Sequence, residues 1–189
     1  MERPQKPLSM HPKKFALWLF LVTVVMIFAA LTSAYIVRKG DGNWLNVEIP
    51  SIFWVNTLFI VTSSVTMHLA YLSAKKNNFG NLKLYIIITS ILGISFLVGQ
   101  FIGWGKLVDM GVFFGGKESN PAGSFVYVFT GLHGFHLISG VFVLLVVLVK
   151  SFRLEVHSKN MTLIEMCATY WHFLDGLWVY LFIFLLLNH

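Results

Sequence analysis

The chain has 189 residues, of which 57% are hydrophobic and only 12% charged, with a mean hydropathy of +0.75. Soluble domains average roughly 45–50% apolar and about 25% charged residues, so one water-soluble core cannot hide this much apolar surface, and lipid is the expected solvent. A single cysteine, Cys167, excludes an internal disulfide framework and a thiolate metal cluster, and the net charge of +6 falls in short segments between apolar runs, a membrane-surface pattern that argues against nucleic acid as a partner.

A membrane-crossing helix takes roughly 20 apolar residues. The sequence predicts five, an all-α integral membrane bundle forming one domain over residues 1–189, with spans at 15–37, 51–73, 84–105, 125–149 and 163–187. The first carries no charge and follows Lys13 and Lys14. It exceeds the roughly 7–15 residues of a signal-peptide apolar region, so it reads as a retained span. His68 is the one ionisable group of the second span. The third is uncharged and holds Gly99 and Gly103 at GxxxG spacing, which lets helix backbones approach closely. The fourth contains His133 and His136, with Gly131, Gly134 and Gly140 as further packing positions. Glu165, His172 and Asp175 lie in the fifth. Polar connectors containing Gly, Asn and Pro separate the runs and turn the chain.

Charge gives the orientation. With the N-terminus inside, the inner segments hold Arg3, Lys6, Lys13, Lys14, Lys75, Lys76, Lys83, Lys150, Arg153 and Lys159. The outer segments hold only Arg38, Lys39, Lys106 and Lys117. This bias places the N-terminus inside and the C-terminus outside.

The intramembrane polar residues carry the functional information. A carboxylate near a helix centre costs roughly 2.5–3.5 kcal/mol on insertion scales, so Asp175 should face the bundle interior and find a partner. Counted from the outer face, His136 lies eleven residues beyond Phe125 and Asp175 twelve before Leu187, which makes them nearly level on antiparallel neighbours. A His136–Asp175 contact is therefore expected. Glu165 and His172, seven apart, share a helix face, and His68 lies near the same end of its own helix. Together with His133 they suggest a polar seam running from the inner face towards the midplane. Such a seam can fix helix register, carry protons, bind a lipid headgroup or ligate haem. For bis-histidine haem, two of the three central candidates share one helix. No Walker loop, dinucleotide fingerprint, GxSxG or HExxH motif is present. The tryptophans Trp44, Trp54, Trp104, Trp171 and Trp178 read as interfacial or packing aromatics.

Two segments are more specific. Thr130-Gly131-Leu132-His133-Gly134-Phe135-His136 lies in the fourth span, and Glu165 with Tyr170-Trp171-His172-Phe173-Leu174-Asp175 and Trp178 lies in the fifth. In this order and separation they resemble the signature of subunit III of cytochrome c oxidase and its quinol oxidase relatives. Asn56-Thr57 and Ser63-Ser64-Val65-Thr66-Met67-His68 resemble the preceding helix of that family. The resemblance covers residues 14–189 and is strongest after Ser124.

It implies a non-redox accessory subunit of a haem–copper terminal oxidase in a bacterial inner (cytoplasmic) membrane. Haem and copper would lie in partner subunits, with subunit I as the main contact and subunit II nearby. Phospholipid would be bound, and sustained proton uptake supported; cytochrome c is the favoured donor, and membership of a larger respiratory supercomplex stays open. His68, His133, His136, Glu165, His172 and Asp175 match the family's polar positions, with a role in bundle structure and lipid contact and no metal to bind. Two departures follow. Long members have seven spans and a lipid cleft between the first two and the rest, so here the cleft would be looser or completed by another subunit. Long members also carry a carboxylate where this chain has Val24 beside Thr23, so a role resting on it is not implied. A haem b membrane anchor and a small proton-coupled transporter are the competing readings; the latter would usually show broken helices or repeated halves.

Overall fold

The computed structural model describes residues 12–42, 44–117, 119–153 and 161–188. They form five α-helices: α1 (Pro12–Gly40), α2 (Ile52–Lys75), α3 (Phe79–Asp109), α4 (Pro121–Phe152) and α5 (Thr162–Asn188). All five are long and apolar enough to cross a membrane. Even the shortest, at 24 residues, extends about 36 Å at 1.5 Å per residue, beyond the roughly 30 Å of a hydrocarbon core. Each is up to about a turn longer at its ends than its apolar run, because polar residues at the ends continue the backbone hydrogen bonding.

The helix ends follow local chemistry. After α2 the chain turns through Asn77 at φ 54°, and after α3 through Gly111 at φ 77°. In each case a six-to-one bond closes the last turn, from Asn78 N to Ser73 O and from Val112 N to Leu107 O, both at 2.9 Å. These are Schellman endings, which need a residue that tolerates the left-handed region. Asn120 caps α4 by accepting from Ala122 N at 3.0 Å, with Pro121 at the first helical position, where its missing N–H costs nothing.

Helices α2, α3, α4 and α5 close a ring, each packed on two neighbours, while α1 lies outside it against α4 and α5. One stripe of α1 is buried, Leu21, Val24, Phe28, Thr32 and Tyr35, at the three- and four-residue spacing of a single helix face. The remaining surface of α1 is apolar and exposed, as are Leu58, Phe101, Phe135 and Phe142 on the ring, each more than 60% accessible. Exposed apolar area on this scale is expected only where lipid or a partner covers it.

Close packing inside the ring depends on three glycines. A Cβ at Gly99 would stand 2.0 Å from Asn56 Oδ1, at Gly93 2.7 Å from the Trp171 ring, and at Gly140 2.9 Å from Leu174. Gly103 lies against Phe53 and Ile52, so the GxxxG pair of α3 faces α2. The fourth-span glycines behave differently. Gly131 has ordinary clearance from Trp104 and Gly134 meets nothing within 4 Å, so neither is where α4 approaches a neighbour; Gly140 is. Indole N–H groups tie the helices across the ring, Trp171 to Ser63 and Trp178 to Thr57 at 3.0 Å, and Trp104 to Thr130 at 2.9 Å.

Candidate functional site

At the end of the bundle where α1 and α5 begin, side chains from three helices converge on a pocket of about 400 Å³. Helix α1 contributes Lys14, Leu17 and Trp18, α2 contributes His68 and Tyr71, and α5 contributes Glu165, Met166, Ala168, Thr169 and His172. Lys14 and Glu165 form an ion pair at 2.5 Å, both partly open to the surroundings. Deeper in, the His68 and His172 rings face each other with centroids 6.1 Å apart. His172 Nδ1 shares a 2.6 Å hydrogen bond with the Ser64 hydroxyl of α2. Asp175, one turn further along α5, is 4% exposed, yet neither of its carboxyl oxygens has a hydrogen-bond partner. Among the described residues the pocket thus unites Glu165, His68 and His172 and leads towards Asp175.

The histidines of α4 lie apart from this pocket and from each other. His133 points into the ring, fully buried between Phe96 of α3 and Trp178 of α5, with ring centroids 5.8 and 5.2 Å away. Neither of its nitrogens has a partner. His136 turns towards α1, against Phe20 and Phe28, and its Nδ1 donates to Leu132 O of its own helix at 2.8 Å. The expected His136–Asp175 contact is therefore not formed. The flanking pairs His133–Trp178 and Gly140–Trp171 bring the two to similar depth, but His136 turns outward to α1 while Asp175 faces α2. The expected seam is accordingly divided, with a polar half at the Lys14 end and an aromatic-enclosed half around His133.

Residues 7–188 match the family model described as cytochrome c oxidase subunit III. The chain belongs to that family. Similar proteins include cytochrome c oxidase subunit 3 of Synechocystis sp., 33% identical over 92% of this chain and 75% of the relative. The corresponding subunit of Thermostichus vulcanus is 29% identical over 91% of this chain and 86% of its own length. Cytochrome bo(3) ubiquinol oxidase subunit 3 of Buchnera aphidicola is 28% identical over 93% and 94%. The chain is thus subunit III of a haem–copper oxidase of the cytochrome c or quinol type, a multi-pass membrane protein that works within an oxidase complex.

Family membership raises the question of haem and copper. Among the described residues no three His, Cys, Asp or Glu side chains converge as a metal site. Aromatic rings cover His133 and His136, which leaves no slot for a macrocycle beside either. Neither α4 histidine therefore has room for a haem beside it.

Two residues of this site lie outside the sequence-predicted set: Lys14, which lines the pocket, and Ser64, which bonds His172 behind it. A lysine opening α1 and a glutamate in the first turn of α5 lie at the same end of an odd-numbered bundle, which signals the first. A hydroxyl on the helix facing an intramembrane histidine signals the second.

Proposed function

We propose that this chain is the non-redox third subunit of a respiratory cytochrome c oxidase in a bacterial cytoplasmic membrane, N-terminus inside, docked on the haem- and copper-bearing subunit I. The observation that carries this reading is the pairing of the His133/His136 and His172/Asp175 segments on α4 and α5, adjacent helices of one ring, within a chain matched to the family over nearly its whole length. The excess of Lys and Arg in the N-terminal, α2–α3 and α4–α5 segments supports the orientation.

The role is accessory: to stabilise subunit I, hold phospholipid and sustain proton uptake during turnover. Two clefts against α1 support lipid binding. One is the Lys14 pocket. The other, about 980 Å³, lies between α1 and α4 at the opposite end, lined by Ala30, Ser33, Ala34, Phe125 and Val128 with the Arg38–Asp41 ion pair at its rim. Apolar walls with an ion pair at the membrane surface suit an acyl chain and a polar headgroup.

Similarity to subunits named for ubiquinol oxidases supports quinol as the alternative donor. Purifying the tagged chain in mild detergent tests both. A haem–copper subunit I should co-purify and consume oxygen with reduced cytochrome c. Oxygen uptake with quinol alone would establish the second reading, and a haem-free chain without such partners would overturn both.

A further inference from the structure

We propose that Asp175 is a proton-exchanging carboxyl, served from the Lys14 pocket through His172 and Ser64. Three placements on two helices support this. His172 lines the pocket on one side and bonds Ser64 Oγ through Nδ1 at 2.6 Å on the other, leaving Nε2 as the ring's second nitrogen. Ser64 bonds His172 one turn from Asp175 on α5, and the Trp171–Ser63 and Trp178–Thr57 bonds on either side of Asp175 hold α2 along this face. Asp175 and His172 are three residues apart on α5 and so share the face turned to α2. A pocket of about 400 Å³ accommodates several waters, each occupying about 30 Å³.

The transfer balances without any other reactant. A hydrated proton in the pocket passes to His172 Nε2 and leaves water behind. The Nδ1 proton passes to Ser64 Oγ, and the proton already on that hydroxyl passes to the Asp175 carboxylate. His172 ends neutral as its other tautomer, and the reverse sequence restores it. Neither carboxyl oxygen is hydrogen-bonded, so the last step takes a rotation of the Ser64 hydroxyl or of Asp175. The serine lies on α2 and Asp175 on α5, so no backbone bond has to open.

The charged and titratable groups around this path are few. Helix α1 presents Lys14, paired with Glu165 of α5. Helix α2 presents His68 and Tyr71 to His172. On α4, His133 packs on Trp178, one turn beyond Asp175, and His136 is held by Leu132 O. None of these bonds the Asp175 carboxyl.

The test is infrared spectroscopy on membranes containing the full chain with its partners, following hydrogen–deuterium exchange of a protonated carboxyl. The Asp175 band is identified by its loss in Asp175→Asn. After transfer to deuterated water this band should shift quickly in the native protein. It should shift roughly 10²-fold more slowly in Ser64→Ala and His172→Phe, the scale on which a positioned proton-transfer side chain acts. Ser64→Thr, which keeps the hydroxyl, should restore the fast phase and separates relay from folding. Equal exchange rates in all variants would overturn the proposal, as would the absence of any Asp175→Asn-sensitive band wherever the protein is folded. The signal comes from this chain's own carboxyl, so either result is independent of which donor the oxidase uses.

Discussion

His172 and His133 lie on neighbouring helices of one ring, yet they are held in opposite ways. His172 has a hydroxyl on one nitrogen, a second imidazole facing it and an ion pair at the mouth of its pocket. His133 has rings on its faces and nothing on its nitrogens. The first arrangement stabilises through directed polar bonds, the second through volume and dispersion. A histidine in a membrane bundle can therefore serve as a polar group or as an aromatic filler, and the residue type alone does not say which.

Substitutions break this comparison in a definite order. Removing the ring in His133→Ala should cost about 2–4 kcal/mol, through lost contacts and the cavity left behind. The change His133→Phe should cost less than about 1 kcal/mol, since no hydrogen bond is lost and an apolar ring suits the site. Chemical unfolding in detergent, followed by helicity, measures both; equal losses would show that His133 nitrogens are bonded after all. Next comes Gly99→Ala at the ring's tightest crossing, expected to cost about 1–3 kcal/mol, because Asn56 is fully buried and has no room to yield. Combining it with Asn56→Ala should recover part of that loss, and a purely additive double variant would contradict the steric account.

On the polar side the effects are smaller. His172→Phe should cost about 1 kcal/mol for the Ser64 bond. A double-mutant cycle with Ser64→Ala should show that the two losses are one interaction. Lys14→Met should cost at most about 1 kcal/mol, diminishing with salt, because this ion pair is partly exposed. A larger, salt-independent loss would mean that Lys14 is buried against a partner in the assembled oxidase.

Much of this arrangement is legible in the sequence. Apolar length gave all five helices, and counting along antiparallel spans put His136 and Asp175 at one level. Depth, however, is an axial coordinate. It says nothing of the rotation of a helix about its own axis, which turns His136 to Phe28 of α1 and leaves Asp175 on the α2 side. A rotation is fixed by packing against several neighbours at once, by Trp171 filling the space that Gly93 and Gly140 leave, and no single segment contains that information. Gly131 and Gly134 illustrate the same limit. They are small residues of the same span, while the close approach occurs at Gly140.

The attachment of α1 has a consequence for how the molecule comes together. Its helix neighbours are α4 and α5, and its terminal bonds run to Glu165 at one end and to the Asn188 carbonyl at the other, from Tyr35 at 2.9 Å and Lys39 at 2.7 Å. During synthesis from the N-terminus, α1 enters the bilayer before α5 and must wait for it. Its docking then reports that α5 is in place: a nascent chain stopped anywhere before α5 leaves α1 without half of its seat, part of its apolar stripe still facing lipid.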